Sequence, residues 1–380
     1  MKRRLEKSRS ADVVISRLIM TNLPATDAGA SMFSGHGAST AVACAPVRAL
    51  VWHGPRQLAV ESVAEPRPGD GEVLVAPEAV GICGSEVEGY VGRMANRVPP
   101  LVMGHEFAGT VVAAGRRAGN EWVGRRVSVN PLLSCRACAG CARDERNLCA
   151  KRRLIGVHLA GGFAERVAVP AENLVALPEG VDARAGALVE PLANAVHAMG
   201  LARRLVAAEV VVVLGAGTIG LFALHAARAA GIADVRVVEP FAERRAFALA
   251  AGARSALADA GALARERSAD LVIDAVGAGS TRRAALDAVR RGGVVVLLGL
   301  HEDETALPFH RVIRDQIALQ GAFAYTDAEF ALALDRLASG KVGLGALGRT
   351  QPLEAGPEVF AILAAGPTAQ LKTFLSAHGS

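Results

Sequence analysis

Four of the six cysteines stand close together in the pattern C-x2-C-x2-C-x7-C, as Cys135, Cys138, Cys141 and Cys149. A pair of disulfides or a chance cluster is the alternative. Spacings this short do not easily allow unstrained bridges between neighbours, whereas C-x2-C is the usual way to wrap one tetrahedral metal ion. Four thiolates leave no ligand position open. The pattern therefore predicts a closed, structural zinc site.

A second set of metal-binding side chains lies upstream, in Cys83 and in the triplet Gly104-His105-Glu106. Taken singly, a cysteine is usually a small buried hydrophobe and a histidine a satisfied core residue. Here Cys83 follows one predicted strand, and the triplet begins another. One thiolate, one imidazole and one carboxylate suit a zinc ion that keeps a position open for substrate or water. We therefore expect a second, catalytic zinc.

Length and composition favour a well-packed globular protein of two domains. The chain has 380 residues, 51% of them hydrophobic and 21% charged. No apolar run reaches the roughly 18 to 20 residues that a membrane span requires. The formal net charge is +5, and much of it lies in residues 1–46. Because the remainder is nearly neutral, we expect neither nucleic acid nor a membrane as a partner.

Residues 1–46 are interpreted as a flexible N-terminal extension, and Met32 could equally be the start of the protein. Arg17 interrupts the only apolar stretch of this segment, so it is a poor secretory signal. Six cysteines without a signal indicate a reducing compartment, where clustered thiols more often bind metal. A cytoplasmic location is expected.

The rest of the chain shows two different sequence patterns. Short alternating strands with turn residues from Arg48 onward predict an antiparallel, barrel-like β domain. After about Pro191, strands, glycines and helices alternate, and the strands are continuous apolar runs such as Val210–Leu214. That pattern is typical of a doubly wound, parallel nucleotide-binding sheet.

The glycine pattern Gly215-x-Gly217-x-x-Gly220 follows the first of these apolar strands and opens a helix. An acidic residue, Glu239, ends the next strand 19 residues later. These contexts together indicate a dinucleotide site, with the pyrophosphate at the helix N-terminus and the carboxylate on the ribose hydroxyls. Since Glu239 would repel a 2′-phosphate, NAD is favoured over NADP. Arg244, with Arg245 beside it, could soften that preference, or both could be solvated helix charges.

The chain from about Val47 onward resembles the zinc-dependent medium-chain dehydrogenases, the alcohol and polyol dehydrogenase family. The matching segments are Gly81-Ile-Cys-Gly-Ser85, Gly104-His-Glu106, the cysteine cluster, Gly161-Gly-Phe-Ala-Glu165, Glu190-Pro191, the glycine fingerprint and Asp274-Ala-Val-Gly277. The Glu190-Pro191 element is similar to the sorbitol, threonine and galactitol-phosphate branch, whereas the simple-alcohol branch has a cysteine there.

The resemblance implies a role for individual residues. Cys83, His105 and Glu106 would bind the catalytic zinc, Glu190 would be a fourth ligand or hold the zinc-bound water, and Ser85 would contact the reacting oxygen. The expected cofactor-binding residues are Gly215, Gly217, Thr218, Ile219, Gly220, Glu239, Arg244, Val276 and Gly299. Arg93 and Arg97 border the expected substrate cleft and could bind a carboxylate or phosphate, or be surface charges.

Two positions depart from the family pattern. The family has Asp where this chain has Glu86, a residue expected to orient the zinc histidine, and the extra methylene changes that geometry. Many members have a proton-relaying histidine where this chain has Glu88. Either Glu88 carries the proton out, or the proton takes another path.

The resemblance implies a GroES-like β-barrel catalytic domain in residues 47–190 and 323–380, with an inserted Rossmann domain in residues 191–322. The expected protein is an oxidoreductase with two zinc ions that transfers a hydride between NAD and a polar secondary alcohol. The substrate would be a polyol, cyclitol, sugar alcohol or amino alcohol, converted to its ketone. The family commonly forms homodimers or homotetramers. The alternatives are a zinc-free NADPH quinone or enone reductase of the same superfamily and, from another class, a zinc-ribbon nucleic-acid-binding protein.

Overall fold

The computed structural model describes residues 45–342, 348–366 and 368–378. The expected N-terminal extension lies almost wholly outside the described residues. Among these residues, no helix is long and apolar enough to cross a membrane.

The first part of the described chain is rich in short strands. Its strands are β1 (Val47–Gly54), β2 (Gln57–Val63), β3 (Glu72–Gly81), β4 (Leu101–Val102), β5 (Glu106–Ala114), β6 (Arg126–Val129), β7 (Leu132–Leu133), β8 (Arg153–Leu154), β9 (Val167–Pro170) and β10 (Leu174–Ala176). Its helices are α1 (Gly84–Tyr90), α2 (Ala139–Ala142) and α3 (Ala183–Ala187). Helix α4 (Val189–Arg203) leads into the second part.

The second part alternates strands and helices. Its strands are β11 (Val210–Leu214), β12 (Asp234–Val238), β13 (Ser255–Leu257), β14 (Ala269–Asp274), β15 (Val289–Leu297) and β16 (Ala318–Gly321). Its helices are α5 (Thr218–Ala229), α6 (Ala242–Ala250), α7 (Gly261–Glu266), α8 (Gly279–Ala288), α9 (Phe309–Arg314) and α10 (Asp327–Ala338). The chain continues through β17 (Arg349–Pro352), α11 (Gly356–Ala365) and β18 (Thr373–Ser376).

Strand pairing returns the end of the chain to the first part. One sheet has the order β10-β6-β5-β3-β18-β17, with β9 also paired to β3, and a smaller one has the order β2-β1-β4. The late strand β18 thus lies between β3 and β17. The predicted GroES-like β domain, built from both ends of the sequence, is confirmed.

The six-stranded sheet has the order β13-β12-β11-β14-β15-β16, and all its neighbouring strands are parallel. This is the Rossmann order, so the predicted doubly wound fold is also confirmed. Strand β11 shows why its sequence is apolar throughout. Val211 and Val213 pack into one hydrophobic cluster, whereas Val212 and Leu214 pack into another on the opposite face. Both faces of the strand are buried.

We propose domain bounds at residues 47–190, 191–322 and 323–380. Chain order in the two sheets supports them, although the bound at residue 190 falls within α4.

Candidate active site and zinc centres

The four clustered cysteines converge in the structure as the spacing predicts. The Sγ atoms of Cys138 and Cys141 lie 3.5 Å apart, as do those of Cys135 and Cys149. These separations far exceed the roughly 2 Å of a disulfide and are close to the ~3.8 Å between thiolates on a tetrahedral zinc ion. The backbone N–H and thiol of Cys141 help lower the pKa of Cys138 to about 6, which favours the metal-binding thiolate. The site fits a structural zinc.

The second set of predicted ligands is assembled by two paired strands. Cys83 follows the end of β3 and precedes α1, while Glu106 begins β5, and Gly81 pairs with Glu106 in the antiparallel register. One ligand atom from each of Cys83, His105 and Glu106 lies within 4.8 Å of the others. His105 and Glu106 are buried, whereas Cys83 is partly exposed. This mixed set, open on one side, fits a catalytic zinc.

Glu86 orients His105. Its carboxylate is fully buried and its Oε1 accepts hydrogen bonds from the imidazole Nδ1 of His105, at 2.8 Å, and from two backbone N–H groups. Its Oε2 accepts from the backbone N–H of Cys83 at 2.9 Å. Because Nδ1 is engaged, Nε2 is the nitrogen left to bind a metal ion. The longer Glu side chain therefore makes the contact expected of the family's Asp.

Glu190 lies in the first turn of α4 and is held by two side chains. Asn194 donates from Nδ2 to Glu190 Oε1 at 3.0 Å, and the buried Tyr325 forms a hydrogen bond with the same carboxyl group. Burial raises the pKa of Glu190. Burial and the neighbouring Glu190 together raise the pKa of Tyr325. Tyr325 lies 135 residues after Glu190, so only the folded chain shows this partnership.

Lys372 is a site residue that the sequence did not reveal. This lysine is buried and forms an ion pair with Glu106. Although burial disfavours the cation, Glu106 and Cys83 hold its pKa above the ordinary value. One signal could have identified it: Lys372 is the one charged residue of the final strand region, Leu371-Lys-Thr-Phe-Leu-Ser376.

Ser85 and Glu88 lie three residues apart on α1, so their side chains share one side of the helix. Ser85 Oγ accepts a hydrogen bond from Arg97 at 3.3 Å. Glu88 contacts Arg93 at 3.1 Å and, from the other domain, His301 Nδ1 at 3.3 Å. His301 had not been predicted.

The glycine fingerprint connects β11 to α5 in the predicted way. A Cβ atom at Gly220 would collide with the carbonyl oxygen of Gly215, so only glycine allows this tight turn. Thr218 Oγ1 donates to the carbonyl of Leu371 at 2.9 Å, tying the fingerprint to the C-terminal segment. Val276 and Gly299 lie against each other where β14 and β15 end.

Glu239 and Arg244 occupy different positions relative to the cleft. Glu239 is buried, and its oxygens accept from the backbone N–H groups of Ala216, at 2.8 Å, and Phe241, at 3.0 Å. Each oxygen keeps a second lone pair for a ribose hydroxyl. Arg244 lines the cleft, whereas Arg245 donates to two backbone carbonyls, including that of Glu239.

One cleft of about 420 Å³ joins the candidate zinc centre to the fingerprint. Cys83 and Glu106 line it, as do the fingerprint residues 217–220. Lys372, Glu88 and His301 also line this cleft, whereas Glu239, Val276 and Gly299 are not among its lining residues.

Comparison with known proteins identifies the family. Residues 69–179 match the family model of the alcohol dehydrogenase GroES-like domain, and residues 218–339 match that of zinc-binding dehydrogenases. L-galactonate-5-dehydrogenase of Escherichia coli is 33% identical over 77% of this chain and 88% of its own length. Sorbitol dehydrogenase of Bombyx mori is 31% identical over 78% of this chain and 89% of its own.

A solved structure shares the whole architecture. A proposed zinc-binding dehydrogenase of Sinorhizobium meliloti, with NADP bound, has a TM-score of 0.80 and 29% identity. The match covers 87% of this chain and 99% of the other. By sequence and by fold, the chain belongs to the zinc-type medium-chain dehydrogenase family.

Proposed function

We propose that this protein is a zinc-dependent dehydrogenase that oxidises a polar secondary alcohol to its ketone with NAD as hydride acceptor. A single observation carries the proposal: Cys83 and Glu106, two members of the ligand set that includes His105, line the same cleft as the dinucleotide fingerprint. The zinc-free alternative needs no such ligand set. Relatives named as galactonate and sorbitol dehydrogenases support the assignment.

When bound, the catalytic zinc would supply Lewis-acid polarisation of the substrate oxygen, and NAD would supply the hydride acceptor. Cys83, His105 and Glu106 are the residues that would hold the zinc. Glu190, fixed by Asn194, is the proposed fourth ligand or the acceptor for a water at the open position. These roles follow from the donor types and from their burial.

The chain's own residues would remove the hydroxyl proton. Ser85 is partly exposed beside Cys83. Its Oγ accepts from Arg97 and keeps a second lone pair that would accept the substrate's hydroxyl proton, while its own proton would pass on toward Glu88. Glu88, on the same side of α1, would pass the proton outward. Its neighbour His301 is 49% exposed, and so opens this path to water.

We propose NAD over NADP because the Glu239 carboxylate would accept from ribose hydroxyls and repel a 2′-phosphate. Arg244 acts in the opposite sense, since it is a cation that lines the cleft beside Gly217 of the fingerprint. The Sinorhizobium meliloti neighbour was solved with NADP. The opposing charges make this preference measurable.

The proposed substrates are polyols, cyclitols, sugar alcohols and amino alcohols. A homodimeric or homotetrameric assembly in the cytoplasm is proposed from the family resemblance and from the cysteine usage. Neither a nucleic acid nor a membrane is proposed as a partner.

The test is a panel of these alcohols, in which NADH formation is followed with protein that holds two zinc ions. At least one secondary alcohol should reduce NAD. Cys83→Ser should be inactive while it remains folded, as circular dichroism would show. If no alcohol reduces NAD and the protein instead reduces enones with NADPH, the zinc-free alternative replaces this proposal.

A further inference from the structure

Arg97 is buried beside the site without the partners that a buried cation needs. Only 4% of the surface of this residue is exposed to solvent. Nη2 donates to Ser85 Oγ at 3.3 Å, but Nε and Nη1 have no hydrogen-bond partner among the described residues. Guanidinium groups remain charged in proteins, and a buried charge is costly unless it is paired. Nε and Nη1 are therefore donors that an anionic ligand could engage.

The nearest acidic side chain does not fill this need. Glu86 acts electrostatically on Arg97, and so does Cys83. However, both Glu86 oxygens already accept other hydrogen bonds. Oε1 accepts from the imidazole and backbone N–H of His105 and from the backbone N–H of Gly104. Oε2 accepts from the backbone N–H of Cys83. Arg97 thus has a negative charge nearby, but no carboxylate among the described residues accepts a hydrogen bond from its guanidinium group.

Packing fixes Arg97 in this position. A Cβ atom at Gly89 would lie 2.6 Å from Arg97 Cδ and 2.9 Å from its Nε. The arginine therefore lies flat against the α1 backbone, where only glycine leaves room. A guanidinium held in one orientation loses little entropy when it binds a ligand.

Two further arginines, Arg152 and Arg153, act on His158 together with Arg97. Burial, and then the charges of Arg153, Arg97 and Arg152, lower the pKa of the exposed His158. The guanidinium of Arg152 lies 4.7 Å from the ring centre of Phe323, two residues from the Glu190 partner Tyr325. A positive field of this kind attracts and orients anionic ligands.

The following inference rests on the proposed function. We propose that the substrate carries an anionic group, a carboxylate or a phosphate, close to the hydroxyl that is oxidised. Arg97 recognises this group. Because Nη2 is in contact with Ser85, which is partly exposed, the anion lies within a few bonds of the reacting carbon. The substrate class is then a polyhydroxy acid or a polyol phosphate rather than a neutral polyol.

The experiment compares related substrates with and without an anionic group at one end of the carbon chain. The zinc-loaded enzyme is assayed with NAD on galactitol and galactonate, on sorbitol and gluconate, and on galactitol 1-phosphate. We expect kcat/KM for at least one anion to exceed that of its neutral counterpart by about 10²-fold or more. The carboxylate and phosphate arms identify which anion is meant.

Variants of Arg97 locate the recognition. Arg97→Met should reduce the preference for the anion at least tenfold, and Arg97→Lys should keep part of it. Arg117→Met is the matched control, because Arg117 is 78% exposed and pairs with Asp70. It should leave the preference unchanged.

Several outcomes would overturn the proposal. One is a wild-type enzyme that oxidises neutral polyols as efficiently as their anions, which leaves the proposed function intact. Another is an equal loss of rate on both substrate types in Arg97→Met. If Arg97→Met does not fold, the wild-type comparison and Arg97→Lys decide. Absence of NAD reduction with every substrate instead contradicts the proposed function.

Discussion

A single carboxylate, that of Glu86, serves both local structure and the candidate metal site. It caps α1 through the backbone N–H of Cys83 and holds the imidazole of His105. Burial opposes its ionisation, but His105 and the hydrogen bond from Cys83 keep the pKa of Glu86 below its ordinary value. The helix start and the histidine orientation therefore depend on one charge.

Glu86→Gln should weaken the catalytic zinc site about 10- to 100-fold, because a neutral amide orients His105 less firmly. During dialysis against a chelator, this variant should lose its catalytic ion faster than wild type does, and the cysteine-bound ion should be retained in both. Glu88→Gln makes the same carboxylate-to-amide change elsewhere on α1 and should lose the catalytic ion at the wild-type rate. Equal rates of zinc loss in Glu86→Gln and wild type would contradict this role.

Glu88→Gln should slow alcohol oxidation, most strongly at low pH, where the proton is hardest to release. The expected loss is about 10²-fold, at the lower end for general acid–base groups. Added buffer bases should restore part of the rate, and Ser85→Ala should cost more. Unchanged turnover and pH profile in Glu88→Gln would show that this carboxylate carries no proton.

Cofactor choice should depend on the opposing charges of Glu239 and Arg244. Wild type should have the higher kcat/KM with NAD, and Glu239→Ala should narrow the gap. Arg244→Ala should reduce activity with NADP selectively, whereas Arg245→Ala should not, because Arg245 bonds backbone carbonyls. Better efficiency with NADP in wild type would show that the NAD assignment is wrong.

Among the elements, helices α4 and α10 are connected by side-chain contacts that support the position of Glu190. Helix α10 starts with a capping box in which Thr326 and Glu329 bond each other's backbone N–H groups. Glu329 Oε2 also contacts His197 Nδ1, on α4, at 2.9 Å. The helix that carries Glu190 is thus tied to the one that follows Tyr325.

The contact between Glu329 and His197 should make the free energy of unfolding decrease at acid pH. Burial opposes the charge, but the hydrogen bonds from His197 and Thr326 hold the pKa of Glu329 below its ordinary value of 4.5. A depressed carboxyl pKa adds stability above the unfolded pKa, and this stability is lost as the pH falls through the folded pKa. Glu329→Gln should therefore cost about 1 kcal/mol at neutral pH and less near pH 4. Urea unfolding at both pH values measures this, and an equal cost at each would contradict it.

Sequence patterns revealed some elements and concealed others. Strand β11 and the fingerprint were predictable because apolar runs and glycines are local signals. Helix α4 was not, because it is buried on most sides and so has no polar face to create a helical period. Strand β17, Arg-Thr-Gln-Pro, lacks any alternation and lies at a sheet edge. The sequence pattern predicts a short final strand around Leu371 to Leu375, and the structure has it at Thr373–Ser376.

The same distinction applies to the site. Most metal ligands were predictable because their spacing and chemistry are specific. The structure brings together the four clustered cysteines and, separately, Cys83, His105 and Glu106, but does not group Glu190 with them. Lys372, Tyr325 and His301 were not, because their partners lie 135 to 266 residues away and no local pattern links them. The sequence named Arg97 but could not show that it is buried.

At the scale of the whole molecule, the two zinc sites should differ in how readily they lose metal. Wild type should hold two zinc ions per chain, one easily stripped and one not, because the mixed site is open whereas the four-thiolate site is closed and coupled to folding. Cys138→Ser should impair folding, and Cys83→Ser should leave a folded, inactive protein. Elemental analysis that finds one zinc or none in wild type would contradict the prediction of two zinc sites.

The place of β18 in its sheet has a consequence for biosynthesis. This strand separates β3 from β17, and Lys372 immediately before it pairs with Glu106. On a ribosome, the ligands Cys83 and Glu106 emerge early, but their sheet keeps an open edge at β3 while the whole Rossmann sheet is translated. The site is therefore completed only after the coenzyme domain has been synthesised. A chain that is still being translated has Cys83 and Glu106 in place but lacks the cation of Lys372.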